Sequence, residues 1–288
     1  MQMIDSQIHF YHSDSPERPW LDVWRGKPFP LGPNHFFPED IIPQMDAAGV
    51  SRAVVVPPSW TGYDNSQCLE FAANDPKRFA VMGRFDLFDP DRGRLETWME
   101  QPNMIGLRFS GRYIGGMDLG EFLDYEQFGW FWTECERLDI PVMMFASEDR
   151  IALVPKLAER FPGVTFIMDH FGTTIGDLNV IDPWGYQDQM LELAKFPNVY
   201  AKLSALPLNT LEEYPFPSQT PYIKRAYDAF GPERLAWGTD VSRFKRTTYQ
   251  QAVDHILTQI DFLTEYDKEW IMGKTIAKAV RWPLDEDS

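Results

Sequence analysis

Short apolar runs recur along the chain, with longer helix-compatible stretches between them. The runs are apolar almost throughout and do not alternate with polar residues, which is typical of parallel strands covered on both faces. A Gly or a Pro often stands at the joints, as at Gly49 and Gly231, where a helix end or a turn needs it. Strands are predicted at 3–9, 53–57, 79–85, 105–109, 141–146, 164–170, 199–204 and 235–240, with helices at 38–49, 65–75, 126–138 and 150–161.

Eight strand units in 288 residues predict an α/β fold, a closed parallel (β/α)8 TIM barrel. The alternative is an open doubly wound sheet, but no Gly-x-Gly-x-x-Gly motif follows the first strand to mark a dinucleotide site. Long loops at 11–37 and 205–221 interrupt the pattern. Because we find no repeat, low-complexity tract or linker, we interpret residues 1–288 as a single domain.

The formal net charge of −16 opposes binding to nucleic acid or to an anionic membrane, since either would be repelled. An anionic small molecule stays open as a substrate, because a few buried arginines can set the local sign. No apolar run is long enough to span a membrane. Two distant cysteines and an N-terminus that enters a strand at once favour the cytoplasm, and a homodimer stays open as a partner.

Polar residues stand at the carboxyl ends of several predicted strands, which is where barrels of this type carry their chemistry. Gln7 and His9 are two residues apart and therefore on the same face of the first strand. By contrast, His12 and His35 lie in the long opening loop and His255 in a helix, so we expect loop or surface roles for them. The strand-end candidates are Gln7, His9, Arg108, Arg112, His170, Lys202, Ser204 and Asp240.

Six segments, in order and mostly at strand ends, carry a family resemblance: IDSQIHFY at 4–11, MDAAGVSRAVVV at 45–56, GLRF at 106–109, FPGVTFIMDHFG at 161–172, FPNVYAKLSAL at 196–206 and PERLAWGTDVSR at 232–243. Together they resemble the amidohydrolase superfamily, in its branch of sugar-acid lactonases and 2-pyrone-4,6-dicarboxylate lactonases. The resemblance implies a (β/α)8 barrel that hydrolyses an ester, amide or lactone. It also implies that Asp240 is the catalytic carboxylate.

Two departures from the family pattern concern its metal. The first strand of the family usually carries His-x-His, but Gln7 stands at the first of these positions and leaves only His9. Phe145 stands where the fifth strand usually ends in a ligand histidine. Because a neutral amide is a poor ligand and zinc wants three or four good ones, we expect a metal-free site. The alternative is one Zn²⁺ held by His9, Asp240 and His170.

The resemblance suggests a mechanism in which Asp240 takes a proton from the water that attacks a carbonyl group. Partial burial is expected to raise the pKa of Asp240 toward the working range. His170, with His9 nearby, would donate hydrogen bonds to the developing oxyanion. The substrate would be a small cyclic molecule that can carry a carboxylate. The predicted substrate-binding residues are Arg108, Arg112, Lys202, Gln7, Tyr63 and Trp60, with Trp20 also on an overhanging loop.

Other activities stay open at this stage. A non-oxidative decarboxylase of an aromatic acid is one, although such enzymes need a metal and Phe145 argues against that. A zinc-dependent amidohydrolase is another. A catalytically silent binding barrel is a third, and the joint presence of His9, His170 and Asp240 argues against it.

Overall fold

The computed structural model describes residues 1–22, 24–25, 33–89, 91–110, 125–146, 148–173 and 182–285. Eight parallel strands form one sheet in which each strand pairs with its neighbour in sequence, from β1 to β8. This arrangement confirms the predicted (β/α)8 barrel. The strands are β1 (Met3–Ile8), β2 (Val50–Val55), β3 (Phe79–Gly83), β4 (Met104–Ser110), β5 (Val142–Phe145), β6 (Phe166–Met168), β7 (Val199–Ser204) and β8 (Leu235–Gly238).

The helices pack outside the strands, and the four predicted helices match α1 to α4 within a few residues. Gly49 ends α1 in the left-handed conformation, at φ 73°, as its predicted joint position requires. Helix α6 was not predicted, because Pro221 was assigned to a loop although proline suits a first helical turn. The helices are α1 (Pro38–Ala48), α2 (Ser66–Asn74), α3 (Tyr125–Arg137), α4 (Val154–Arg160), α5 (Gln187–Glu192), α6 (Thr220–Phe230), α7 (Tyr249–Thr258), α8 (Glu265–Glu269) and α9 (Thr275–Ala279).

The sixth and eighth strands end earlier than predicted, and this changes how two candidate residues are held. His170 lies in the tight turn Asp169–Gly172 after β6, with φ 54°, and not in a strand. Asp240 lies two residues beyond β8, with φ 55°. Left-handed backbone at a non-glycine residue costs about 1–3 kcal/mol and persists where the surroundings enforce it, often at functional sites.

Alternate residues of the strands divide the core into two layers. Ile8 and Leu107, for example, face the helices, whereas their neighbours in sequence face the barrel axis. Ile276 and Val280 of the α9 region pack against the axial layer. The axial layer is formed by Ile4, Val54, Val56, Met82, Met143, Ile167 and Ala236. Because the axis is filled by apolar side chains along this layer, polar groups that continue the inward faces beyond it collect at the carboxyl ends of the strands.

A buried carboxylate joins β1 to the segment after β8. Oδ1 of Asp5 accepts the backbone N–H groups of Gln7 at 3.0 Å and Thr239 at 2.8 Å. Its Oδ2 accepts the hydroxyls of Thr239 at 2.5 Å and Tyr249 at 3.0 Å. The N–H of Asp240 then donates to the carbonyl of Gln7 at 2.8 Å. Asp5 therefore fixes the relative position of two candidate site residues.

Two further observations concern membrane-spanning helices and the two cysteines. Among the described residues, no helix is both long and apolar enough to span a membrane. Cys68 and Cys135 are buried free thiols.

Candidate active site

The inward-facing residues at the carboxyl ends of the strands form a buried polar cluster, which we call the mouth cluster. All of its members are less than a tenth exposed. Its polar members come from β1, β4 and β7, from the residues directly after β1 and β3, and from the turns after β6 and β8. The mouth cluster consists of Gln7, His9, Arg84, Arg108, Phe145, Asp169, His170, Lys202, Ser204 and Asp240.

Asp169 is the central acid of this cluster. Its Oδ2 accepts from Nε of Arg108 at 3.0 Å, and Nη2 of Arg108 lies at the same distance. Its Oδ1 accepts from Nζ of Lys202 at 2.9 Å. Burial raises the pKa of Asp169, but the charges of Lys202 and Arg108 outweigh burial and lower it to about 2. Asp169 is therefore an ionised counter-ion for two of the predicted substrate-binding cations.

The ammonium group of Lys202 is fully buried and has a partner for each of its three N–H groups. It donates to Oδ1 of Asp169, to Oε1 of Gln7 and, at 3.3 Å, to Sδ of Met143. An ammonium has three donors, so none is left for a substrate. The structure thus opposes the predicted role of Lys202 as a substrate-binding residue. Burial lowers the pKa of Lys202.

Gln7 connects this network to His9. Because Oε1 of Gln7 accepts from Lys202, the amide nitrogen of Gln7 points the other way. This nitrogen, Nε2, lies 3.3 Å from Nε2 of His9. Nδ1 of His9 lies 2.7 Å from the carbonyl oxygen of Val56, which can only accept. Nδ1 of His9 therefore carries a proton and donates to that carbonyl.

Asp240 presents an oxygen atom that accepts no hydrogen bond. Its Oδ1 lies 3.1 Å from Nε2 of His9, yet it is buried and without a donor among the described residues. The other oxygen, Oδ2, lies 3.5 Å from Nη1 of Arg243. Oδ1 is thus positioned to accept a proton from a water molecule or a substrate.

The electrostatics of Asp240 differ from the expectation drawn from the sequence. Burial raises its pKa, as expected, but the proximity of His9 and Arg243 more than offsets burial. The net pKa lies below the usual range, so the predicted rise was wrong. The carboxylate is therefore ionised at neutral pH, and it is a weak base.

His170 is held as a hydrogen-bond donor. Its backbone N–H donates to Oγ of Ser204 at 3.2 Å, and the same Oγ lies 2.8 Å from its ring Nδ1. We assign the serine hydroxyl as the donor to Nδ1, which places the ring proton on Nε2. Burial lowers the pKa of His170 to about 3, so the ring is neutral. Among the described residues, Nε2 has no protein hydrogen-bond partner.

Aromatic side chains surround these polar groups. The ring of Phe145 meets His170 edge to face at 5.5 Å and lies 5.9 Å from Cζ of Arg108, where the family resemblance expected an imidazole. Trp60 packs 4.9 Å from Tyr11 and 6.4 Å from His9, between ring centroids, and Trp20 joins it at 5.9 Å.

Tyr63 and Arg112 complete the predicted set. Tyr63 is half-buried next to the mouth cluster, where burial raises its pKa to about 12, and the nearby charge of Arg84 acts in the opposite direction. The predicted role of Arg112 falls outside the described residues.

Arg84 is a member of the cluster that reasoning from the sequence missed. It follows β3 directly and is 2% exposed. The predicted strand 79–85 contains it, and the two-residue period places it on the same face as Met82 of the axial layer. If the two-residue period had been applied to strand 79–85, as it was to the first strand, it would have identified Arg84.

The cluster offers few ligands for a metal ion. Nε2 of His9 and Oδ1 of Asp240 converge, but the described residues contain no group of three His, Cys, Asp or Glu side chains that could hold one. Oε1 of Gln7 is occupied by Lys202, and Phe145 has no donor atom. Zinc sites in proteins use at least three protein ligands, so these residues do not fit a tightly bound zinc ion.

Comparisons with known proteins give a consistent picture. A family profile described as amidohydrolase matches residues 4–282. An L-fucono-1,5-lactonase of Burkholderia ambifaria is 28% identical over 256 residues, which are 82% of this chain and 79% of that protein. A 4-sulfomuconolactone hydrolase of Hydrogenophaga intermedia is 28% identical over 205 residues, which are 70% of this chain and 64% of that protein.

A solved amidohydrolase structure from Burkholderia multivorans, with bound zinc, has a TM-score of 0.81 at 20% identity and covers 98% of this chain and all of that one. The sequence matches confirm the predicted resemblance to the lactonase branch.

Proposed function

Since the chain belongs to the amidohydrolase family and is a hydrolase of ester or lactone bonds, we propose that it opens a small lactone ring with water activated by Asp240 and without a metal ion. The observation that carries this proposal is the ionised Asp240 carboxylate at the mouth of the barrel, whose Oδ1 is buried and has no hydrogen-bond donor among the described residues. An ionised acceptor at this point is suited to binding and deprotonating a water molecule.

The proposed reaction uses two groups of opposite character. The water oxygen bonds to the lactone carbonyl carbon while one water proton moves to Oδ1 of Asp240. Nε2–H of His170 donates to the carbonyl oxygen as that oxygen becomes negative; a donor of this kind contributes about 3 kcal/mol. The ring C–O bond then breaks, and the leaving alkoxide takes the proton back from Asp240. The product is the open-chain hydroxy acid.

The weak basicity of Asp240 suits this substrate class. A carboxylate with a lowered pKa is a weak base, so it accepts the proton only once the attacking water has begun to bond to the carbonyl carbon and has become more acidic. The carbonyl group must therefore be reactive, and the leaving group must stay close to Asp240. A strained cyclic ester meets both conditions better than an amide does. Metal independence is proposed because Gln7 and Phe145 replace two expected ligands and Lys202 occupies the amide oxygen of Gln7.

The direct test is proton release from a panel of lactones that includes L-fucono-1,5-lactone and 4-sulfomuconolactone, the compounds named for the curated relatives. We expect at least one lactone to be hydrolysed well above the buffer rate. The Asp240→Asn variant should lose on the order of 100-fold to 10,000-fold in kcat, since an amide cannot accept the proton. More than a tenth of the wild-type kcat in this variant would contradict the role of Asp240.

A further inference from the structure

Arg84 differs from the other buried cations of the described chain in having no acidic partner. Arg108 and Lys202 share Asp169, and Arg52 donates to Asp285 and to the carbonyl of Pro283. By contrast, Nε and Nη1 of Arg84 are buried without a hydrogen-bond partner. Folded proteins rarely bury a guanidinium in this way, because burial removes its water without replacing the hydrogen bonds.

The electrostatic environment of Arg84 follows from this burial. Burial lowers its pKa to about 9, and the like charge of Arg108 nearby lowers it further, whereas Tyr63 acts in the opposite direction. At neutral pH the group remains charged. An anion placed beside it would be attracted by two guanidinium groups, of which that of Arg108 already pairs with the buried Asp169.

The backbone of Arg84 is held in place by a single side chain. Oδ1 of Asn65 accepts the N–H of Arg84 at 2.7 Å, and Nδ2 of Asn65 donates to its carbonyl oxygen at 2.9 Å. Asn65 is itself buried. Two bonds from one amide therefore hold the backbone of Arg84 at the carboxyl end of β3, where its side chain is buried in the mouth cluster.

We propose that Arg84 binds an anionic group of the substrate, a carboxylate or a comparable oxyanion carried on the lactone ring. This inference rests on the proposed lactone hydrolysis and adds the substrate class to it. Nε and Nη1 of Arg84 have no hydrogen-bond partner among the described residues, and guanidinium N–H groups are strong donors to such oxyanions. Arg108 and Lys202, two of the predicted substrate-binding residues, pair with Asp169.

The test compares Arg84→Met and Arg84→Lys on two matched substrates, a lactone that carries one ring carboxylate and the methyl ester of that carboxylate. For the acid, Arg84→Met should raise KM by about 10-fold to 150-fold, the effect of one charged hydrogen-bonding group. For the methyl ester, KM should change little in either variant. For the acid, the KM of Arg84→Lys should lie between that of the wild type and that of Arg84→Met. Arg94→Met removes an exposed arginine that pairs with Asp89 and serves as the control, with KM unchanged for both substrates.

The melting temperature gives a second test of the role of Arg84, and this test does not depend on turnover. Arg84→Met should melt at the same temperature as the wild type or higher, because it removes a buried charge without a partner. Malonate, used as a probe dianion, should raise the melting temperature of the wild type and of Arg94→Met but not of Arg84→Met. This measurement remains informative even if no lactone in the panel is hydrolysed, so it separates failure of the inference from failure of the proposed function.

Three outcomes would overturn the inference. One is an equal rise in KM for the acid and the ester, and another is an equal malonate effect in the wild type and Arg84→Met. The third is a lower melting temperature of Arg84→Met with unchanged KM for the acid, which would show that Arg84 serves as a structural cation.

Discussion

Replacing Arg108 by methionine separates a structural ion pair from a substrate clamp. Arg108 places Nε and Nη2 at 3.0 Å from Oδ2 of Asp169, and both side chains are buried. Methionine keeps much of the side-chain volume of arginine, but of the two cations that pair with Asp169 it leaves only Lys202. Breaking a buried pair costs about 3–5 kcal/mol. Because Lys202 still pairs with Asp169, we expect a loss at the lower end of this range, about 3 kcal/mol of the free energy of unfolding.

The assay pairs urea denaturation and thermal melting with steady-state kinetics. A loss of about 3 kcal/mol corresponds to a fall of roughly 6–12 °C in Tm for a chain of this size. The double variant Arg108→Met with Asp169→Asn should lose less stability than the two single variants combined, since the pair is coupled. In the cold, where Arg108→Met is still folded, its KM for a carboxylated lactone should change less than that of Arg84→Met. An unchanged Tm together with a KM raised more than 10-fold would refute the ion-pair reasoning.

Two further predictions concern the metal ligands and the response to acid. The double variant Gln7→His with Phe145→His should bind zinc more tightly than the wild type in a competition assay with a chelating dye, and an unchanged affinity would show that these positions do not face His9 and Asp240. His255 is buried with Nε2 unpartnered, and burial lowers its pKa from 6.5 to about 4. The unfolded chain therefore binds a proton that the folded chain does not, and the wild type should lose about 3 kcal/mol between pH 6.5 and pH 4 through this group. His255→Leu should flatten the pH dependence of urea unfolding in that window, and an unaltered slope would contradict the assignment.

The barrel was predictable because its signal is local. Eight apolar runs of strand length alternate with longer helix-compatible stretches, and the strand-end rule then identifies Gln7, His9, Lys202 and Ser204. The same rule would have identified Arg84 within 79–85. His255 was expected at a loop or surface because it lies in a helix, yet it is buried against Phe216. Its burial depends on packing against another segment, which its own neighbours in sequence do not reveal.

The electrostatics of the site were less predictable, because they depend on partners far apart in sequence. Arg108 meets Asp169 across 61 residues, and Lys202 meets Gln7 across 195. These pairs follow from the register of the strands in the barrel and not from any short motif. The same holds for Asp240, where the effect of burial was foreseen but the opposing contacts with His9 and Arg243 were not.

The central claim, that Asp240 activates water for lactone opening without a metal ion, is tested most directly by one rate. Turnover of a hydrolysed lactone is measured after exhaustive dialysis against a chelator, on protein whose metal content is shown by elemental analysis to be far below one equivalent. The account predicts that kcat is unchanged and that added zinc does not raise it. Loss of turnover on dialysis, with recovery when zinc is returned, would contradict it.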